Sequence, residues 1–197
     1  KDPTQDAYYS VISPTKVTRK FPLAHGSSRS LGGFQLSWIY LGKNVQIGSF
    51  SDLEGYCVID DFSKLHSCVH VGQFSKIMSY VYIFPYVVLT NDPVPPSDIR
   101  QGVEIEPFSV ICTRSTILPG IKIGFSSFIG ANSLVNKNVE AEMVGSGNPF
   151  RIKGNISNIK IPKTKESAYP WVGRFKKDYP EDIKDIFDKL RKKYLDS

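Results

Sequence analysis

Stepping by six from Leu41 lands on Leu41, Ile47, Leu53, Ile59, Leu65, Val71, Ile77, Ile83 and Leu89. A second series keeps the step at Ile105, Ile111, Ile117, Ile123, Ile129 and Val135. All fifteen positions are aliphatic, whereas Leu, Ile and Val fill only about a fifth of an ordinary chain. The residue two before each is mostly small or β-branched: Val45, Ser51, Cys57, Ser63, Val69, Ser75, Val81 and Val87, then Val103, Ser109, Ser115, Ile121, Ser127 and Ser133. Alternation by two inside a repeat of six describes a short strand. It buries these two positions and turns the residue between them outward. Glycine follows the aliphatic position at Gly42, Gly48, Gly72, Gly124 and Gly130, and its conformational freedom suits a corner. Six residues then make one strand and one corner, and three units close a triangular coil of eighteen. Coils stack at the strand spacing of about 4.8 Å. The pattern predicts an all-β parallel helix of about five or more triangular coils, stabilised by repeat-on-repeat packing.

The rhythm breaks in three places. From Leu89 to Ile105 the step is 16 residues, and the stretch between them, TNDPVPPSDIRQGVE, is too rich in proline and aspartate for a buried strand. This predicts a loop near 92–102, raised from a rigid scaffold where function tends to sit. Upstream, Val11, Val17 and Leu23 are in phase but Arg29 and Gln35 are not, so residues 24–40 form a second excursion. Downstream, the second series ends at Val135, and GSGNPFRIKG follows at 145–154. Residues 1–154 therefore form one domain and 155–197 an extension. From Pro180 onward, Ile183, Ile186, Phe187, Leu190 and Tyr194 share one helical face, predicting a helix near 180–195. Lys189, Arg191, Lys192 and Lys193 enrich its C-terminal turns, where the helix dipole favours cations.

Over about residues 41 to 154 this repeat resembles that of the hexapeptide-repeat acyltransferases: an aliphatic residue, a glycine and four variable positions. The resemblance implies a left-handed coil and a homotrimer with active sites between neighbours. It implies acyl-CoA, acetyl-CoA first, as co-substrate. The exit GSGNPFRIKG is similar to the family's closing signature, with Phe150 replacing the usual small residue. There Arg151 and Lys153 would meet the CoA phosphates, while backbone groups at Ser127, Gly130 and Ala131 would hold the pantetheine amides. The segment LTNDPVPPS at 89–97 is similar to the threonine-asparagine segment of the branch that modifies amino groups on nucleotide-linked sugars. That likeness places Asn91 and Asp92 against the sugar. The chain departs from the antibiotic-modifying branch, because His25, His66 and His70 all lie outside the loop after Leu89.

The repeat gives the histidines positions of their own. His70 precedes an aliphatic position and so faces outward. Asp52 lies eighteen residues earlier, stacked beneath it at cross-strand distance. A carboxylate there fixes the tautomer of the imidazole. Val88 lies one coil above and three residues before Asn91, so Asp52, His70 and Asn91 line one patch. His66 falls at a corner on another edge of the same coil. The candidate catalytic residues are Asn91 and His70, and the candidate acceptor contacts are Asp92, Asp52 and His66.

Composition narrows the partners. A net charge of +6 suits anions, and much of it lies after residue 150. CoA and a nucleotide-sugar satisfy it without nucleic acid. Three cysteines without metal spacing suit a reducing, cytoplasmic setting. No run approaches the roughly 18 apolar residues of a membrane span, and KDPTQDAYYS lacks the apolar core of a signal peptide. Three rivals remain. An O-acetyltransferase acting on a saccharide hydroxyl would use His70 or His66 as base. A zinc hydratase needs stacked histidines, but His66 is flanked by Gly48 and Phe84, and His70 by Asp52 and Val88. This predicts no metal. A non-catalytic scaffold would need neither the proline-rich loop nor the GNPFR exit.

Overall fold

The computed structural model describes residues 39–175 and 178–196. The period-six pattern becomes a left-handed parallel β-helix whose strands fall on three faces. The first face stacks β1 (Tyr40–Leu41), β4 (Val58–Ile59), β7 (Lys76–Ile77), β10 (Glu104–Ile105) and β13 (Lys122–Ile123). The second stacks β2 (Gln46–Ile47), β5 (Lys64–Leu65), β8 (Tyr82–Ile83), β11 (Val110–Ile111) and β14 (Phe128–Ile129). It continues into β16 (Met143–Ser146), on which β17 (Arg151–Asn155) folds back antiparallel. The third stacks β3 (Asp52–Leu53), β6 (His70–Val71), β9 (Val88–Leu89), β12 (Thr116–Ile117) and β15 (Leu134–Val135). Register follows the eighteen-residue coil, as in Asp52 opposite His70. The exceptions are the loop, across which Glu104 pairs with Lys76, and the last coil, where Phe128 pairs with Val144.

The aliphatic ladder fills the prism: from Ile59 to Val135 the repeat positions are at most 1% exposed. Each such side chain gains about 1.5–3 kcal/mol by leaving water. The serines two positions earlier are buried as well, and the stacking of coils explains why a hydroxyl is tolerated there. Ser63 Oγ donates to the Met78 carbonyl at 2.7 Å and accepts the Val81 N–H at 3.2 Å. Ser51, Ser109 and Ser115 repeat this bracket, each to a carbonyl fifteen residues on and an N–H eighteen residues on. A buried polar group so satisfied carries no desolvation penalty to speak of.

The corners differ from the sequence expectation. Among Gly42, Gly48, Gly72, Gly124 and Gly130, none takes a positive φ. They are glycine because the next coil passes too close. A Cβ on Gly124 would sit 2.5 Å from the Ala141 nitrogen, and one on Gly72 2.8 Å from the Leu89 oxygen. The left-handed conformation falls instead three residues after the aliphatic position, often on an aromatic: Phe62 at φ 60°, Tyr80 at 65°, Phe108 at 64°. Such a conformation costs about 1–2 kcal/mol per residue. Stacking along the corner offsets it, with ring centroids 5.4 Å apart for Phe62–Tyr80 and 4.7 Å for Tyr80–Phe108.

The C-terminal extension covers this aromatic corner and the second face. Tyr169 packs edge-on to Phe128, the Trp171 indole donates to the Phe108 carbonyl at 3.3 Å, and Asp178 pairs with the buried Lys64 at 3.3 Å. The chain then turns back as α1 (Ile183–Leu195), matching the helix expected near 180–195. Phe187 packs on Phe108 and Phe125, and Arg191 pairs with Glu142. Of the 24–40 excursion only Ile39 and Tyr40 are described, and Tyr40 already opens β1. The rest of it, His25 and the in-phase Val11, Val17 and Leu23 lie outside the described residues.

Candidate active site

Among the described residues the extension lies over the second face and not the third, and on the third the solenoid breaks. After β9, Thr90 still pairs with the coil above through Ile117. Asn91 then leads the chain out, and its carbonyl accepts the Gln101 N–H at 2.8 Å, closing the neck of the loop. Inside the loop Asp92 acts as a hub. Its carboxylate accepts the Ser97 hydroxyl at 2.7 Å, the Ser97 N–H at 2.9 Å and the Val94 N–H at 3.1 Å, with Arg100 at 3.4 Å. The Ser97 hydroxyl, its N–H and that of Val94, and Arg100 hold the Asp92 carboxyl below its ordinary range.

Between loop and face lies a pocket of about 400 Å³, whose lining includes His70, Val88, Thr90, Asn91, Asp92 and Leu118. His70 and Asp52 pair across adjacent coils as the repeat count requires, with Nδ1 3.2 Å from the Asp52 carboxylate. A carboxylate only accepts, so the neutral ring carries its hydrogen on Nδ1 and presents a lone pair at Nε2. The patch of Asp52, His70 and Asn91 is therefore assembled.

Glu54 belongs to it and was missed. It follows the aliphatic Leu53, in the column that continues through Gly72 to Thr90. Its carboxylate accepts Asn91 Nδ2 at 2.7 Å and the Gln73 N–H at 3.1 Å, while its other oxygen lies 3.9 Å from His70 Nε2. The same eighteen-residue count that placed Asp52 beneath His70 would have placed Glu54 beneath Gly72, had the corner column been read as well as the strand column.

His66 is elsewhere. It stacks on Phe84 at 5.2 Å and its Nε2 is 3.0 Å from the Tyr82 hydroxyl. Burial, with Lys64 adding to it, pushes its pKa down. It sits near a smaller pocket of about 260 Å³ lined by Tyr82, Phe84, Val110, Tyr169, Trp171, Arg174 and Phe175. The Arg174 Nε and Nη2 both donate to the Ala168 carbonyl. The structure thus separates His66 from the Asp52–His70–Asn91 patch.

Of the residues expected along the later coils, Ser127 is corrected: it lies inside the prism. Its N–H donates to Ser109, its carbonyl accepts from Val110 and its hydroxyl donates to Glu140. As an inward position it has no group to offer a ligand outside. Gly130 is half-buried and bonds Gly145 through its N–H. Ala131 is exposed, and Arg151 and Lys153 project exposed from alternate positions of β17.

No protein-family model matches the chain. Solved structures match its fold. A hexapeptide-repeat acetyltransferase from Vibrio cholerae O1 biovar eltor, complexed with acetyl-CoA, is 23% identical with a TM-score of 0.54, over 58% of this chain and 69% of that one. A variant of perosamine N-acetyltransferase from Caulobacter crescentus, complexed with CoA and GDP-perosamine, is 19% identical with a TM-score of 0.53, over 59% of this chain and 51% of that one. The acetyltransferase domain of PglB from Neisseria gonorrhoeae FA1090, complexed with acetyl-CoA, is 18% identical with a TM-score of 0.51, over 58% and 50%. The match thus spans about half the length of the last two. The chain has the fold of the hexapeptide-repeat acetyltransferases.

Proposed function

We propose that this protein is an acyl-CoA-dependent acyltransferase that N-acylates an amino group on a nucleotide-linked sugar, with acetyl-CoA as donor, for surface polysaccharide synthesis. The observation that carries this reading is the pocket at the break in the solenoid, where the Asp52–His70 pair and Asn91 converge. The neighbours' names support it: all three are acetyltransferases, and one holds a GDP-sugar beside CoA. In this reaction the amine nitrogen attacks the thioester carbonyl, a C–N bond forms, the C–S bond breaks and CoA leaves as the thiol. Holding both substrates in one pocket supplies much of the rate. The nitrogen's proton passes to His70 Nε2 or to water. Acyl-CoA runs along the later coils, with its pantetheine arm by Gly130 and Ala131 and its phosphates by Arg151 and Lys153. The active form is a homotrimer, in which a neighbour completes the open wall. The three free cysteines suit the cytoplasm.

Mass spectrometry of nucleotide-amino sugars incubated with acetyl-CoA tests the reaction: an acetylated amine is expected, and absence of any product across the panel would overturn it. The Arg151→Ala, Lys153→Ala double variant should weaken CoA binding in calorimetry, and light scattering should return a trimer. The Asp52–His70 pair keeps a second reading alive, an O-acetyltransferase whose hydroxyl acceptor needs a base.

A further inference from the structure

The amide of Asn91 is not free to choose which end it shows the pocket. Its Nδ2 lies 2.7 Å from Glu54 Oε2, across a separation of thirty-seven residues. An ionised carboxylate only accepts hydrogen bonds. It selects the nitrogen end of the amide and excludes the flipped one. The contact needs the coil between them to have no side chain, and that coil offers Gly72. A Cβ there would lie 3.0 Å from Asn91 Cβ and 2.8 Å from the Leu89 oxygen. Glu54 is itself anchored by the Gln73 N–H at 3.1 Å, and Asn91 by the Gln101 N–H on its carbonyl. Both partners of the contact are thus fixed from a second side.

We propose that Glu54 is a positioning residue: by holding Asn91 through Nδ2, it presents the Asn91 side-chain oxygen, and not the amide nitrogen, to the acceptor. Asn91 then receives an N–H or O–H of the incoming nucleophile and aims its lone pair at the donor. It does not serve as the chief oxyanion donor. Any acceptor of this site must bear a hydrogen on its attacking atom, as an amino sugar does. Gly72 is part of the same device, because it keeps the path from Glu54 to Asn91 open.

The inference rests on the acyltransferase reading for its kinetic test and on the fold alone for its spectroscopic one. In the full-length protein, the Asn91 side-chain NH₂ resonances should exchange slowly with solvent. They should become fast in Glu54→Ala and stay slow in Glu54→Gln, whose amide oxygen still accepts. Fast exchange in the unaltered protein would overturn the hold, whatever reaction the protein catalyses. In kinetics, Glu54→Ala should lower kcat/KM for the acceptor by about tenfold to a hundredfold, the scale set by misplacing one orienting group. The KM for acyl-CoA and the slow hydrolysis of acyl-CoA without acceptor should stay within about threefold. Glu54→Gln should recover most of the loss. If hydrolysis without acceptor falls as far as transfer does, Asn91 is an oxyanion donor and the assignment is wrong. If Glu54→Gln is as impaired as Glu54→Ala, the charge and not the hold is what matters, and the proposal also falls. Failure to find any acceptor overturns the acyltransferase reading and leaves the exchange result to decide on Glu54.

Discussion

The second and third faces of the prism share one inward ladder and differ in most of what they turn outward. On the second face the outward positions read Gln46, Lys64, Tyr82, Val110 and Phe128, and the extension packs on the last four with Tyr169, Trp171, Phe175 and Tyr179. On the third they read Asp52, His70, Val88, Thr116 and Leu134, with no helix or strand laid over them among the described residues. Both sets occupy the same phase of the same repeat. The scaffold therefore dictates nothing about chemistry. A face becomes a second core where its outward column is largely aromatic; where the column carries Asp52 and His70 and a loop rises beside it, a pocket stays open.

This contrast can be broken from either side. The largest effect should come from Phe108, which is 1% exposed and touches Tyr80, Phe125, Trp171 and Phe187. Phe108→Ala should destabilise by about 3–5 kcal/mol in urea unfolding while leaving activity per folded molecule unchanged. Next, Asn91→Ala, which removes the orienting amide, should lower turnover by about 10²-fold and move the unfolding midpoint little. A variant with full turnover would return the loop to a passive insertion. Third, His70→Asn separates the two acceptor classes. An amine entering neutral should lose little, whereas a hydroxyl acceptor should lose about 10²–10⁴, read as kcat on each substrate.

The smallest effect is a pH slope confined to the covered side. Burial lowers the pKa of His66 below its ordinary 6.5, so between the two values the unfolded chain binds a proton that the folded chain refuses. Its contribution is whole above 6.5 and falls away as pH drops from there toward the folded pKa. His66→Phe should flatten that slope in urea unfolding followed above and below pH 6.5, and an unchanged slope would assign it to another group.

The fold was legible because burial inside a narrow prism leaves no latitude. An inward position at Ile77 or Ile111 has to be aliphatic, and an inward serine such as Ser63 has to meet the bracket that the next coil offers. The Asp52–His70 pair was legible for the same reason, since register is set by the period. The corner glycines were read for the wrong property: freedom of φ rather than the space above them. Glu54 escaped because its partner is not its neighbour in the stack. The contact skips a coil through Gly72 and depends on where the chain leaves the solenoid, which periodicity alone does not record. Ser127 was misplaced outward although its own phase turned it in.

The constant rise of the coils gives the molecule a graduated length. The loop leaves after β9, and Arg151 lies beyond β14 and β16, so the two ends of the proposed donor site are separated by whole coils of about 4.8 Å each. Adding or deleting eighteen residues between them would change that distance by one graduation and keep every side chain on its face. Adding six would turn everything downstream by a third of a revolution and carry Arg151 to another edge. The solenoid is in this sense a ruler with a fixed unit, and the reach of the co-substrate is what it would measure.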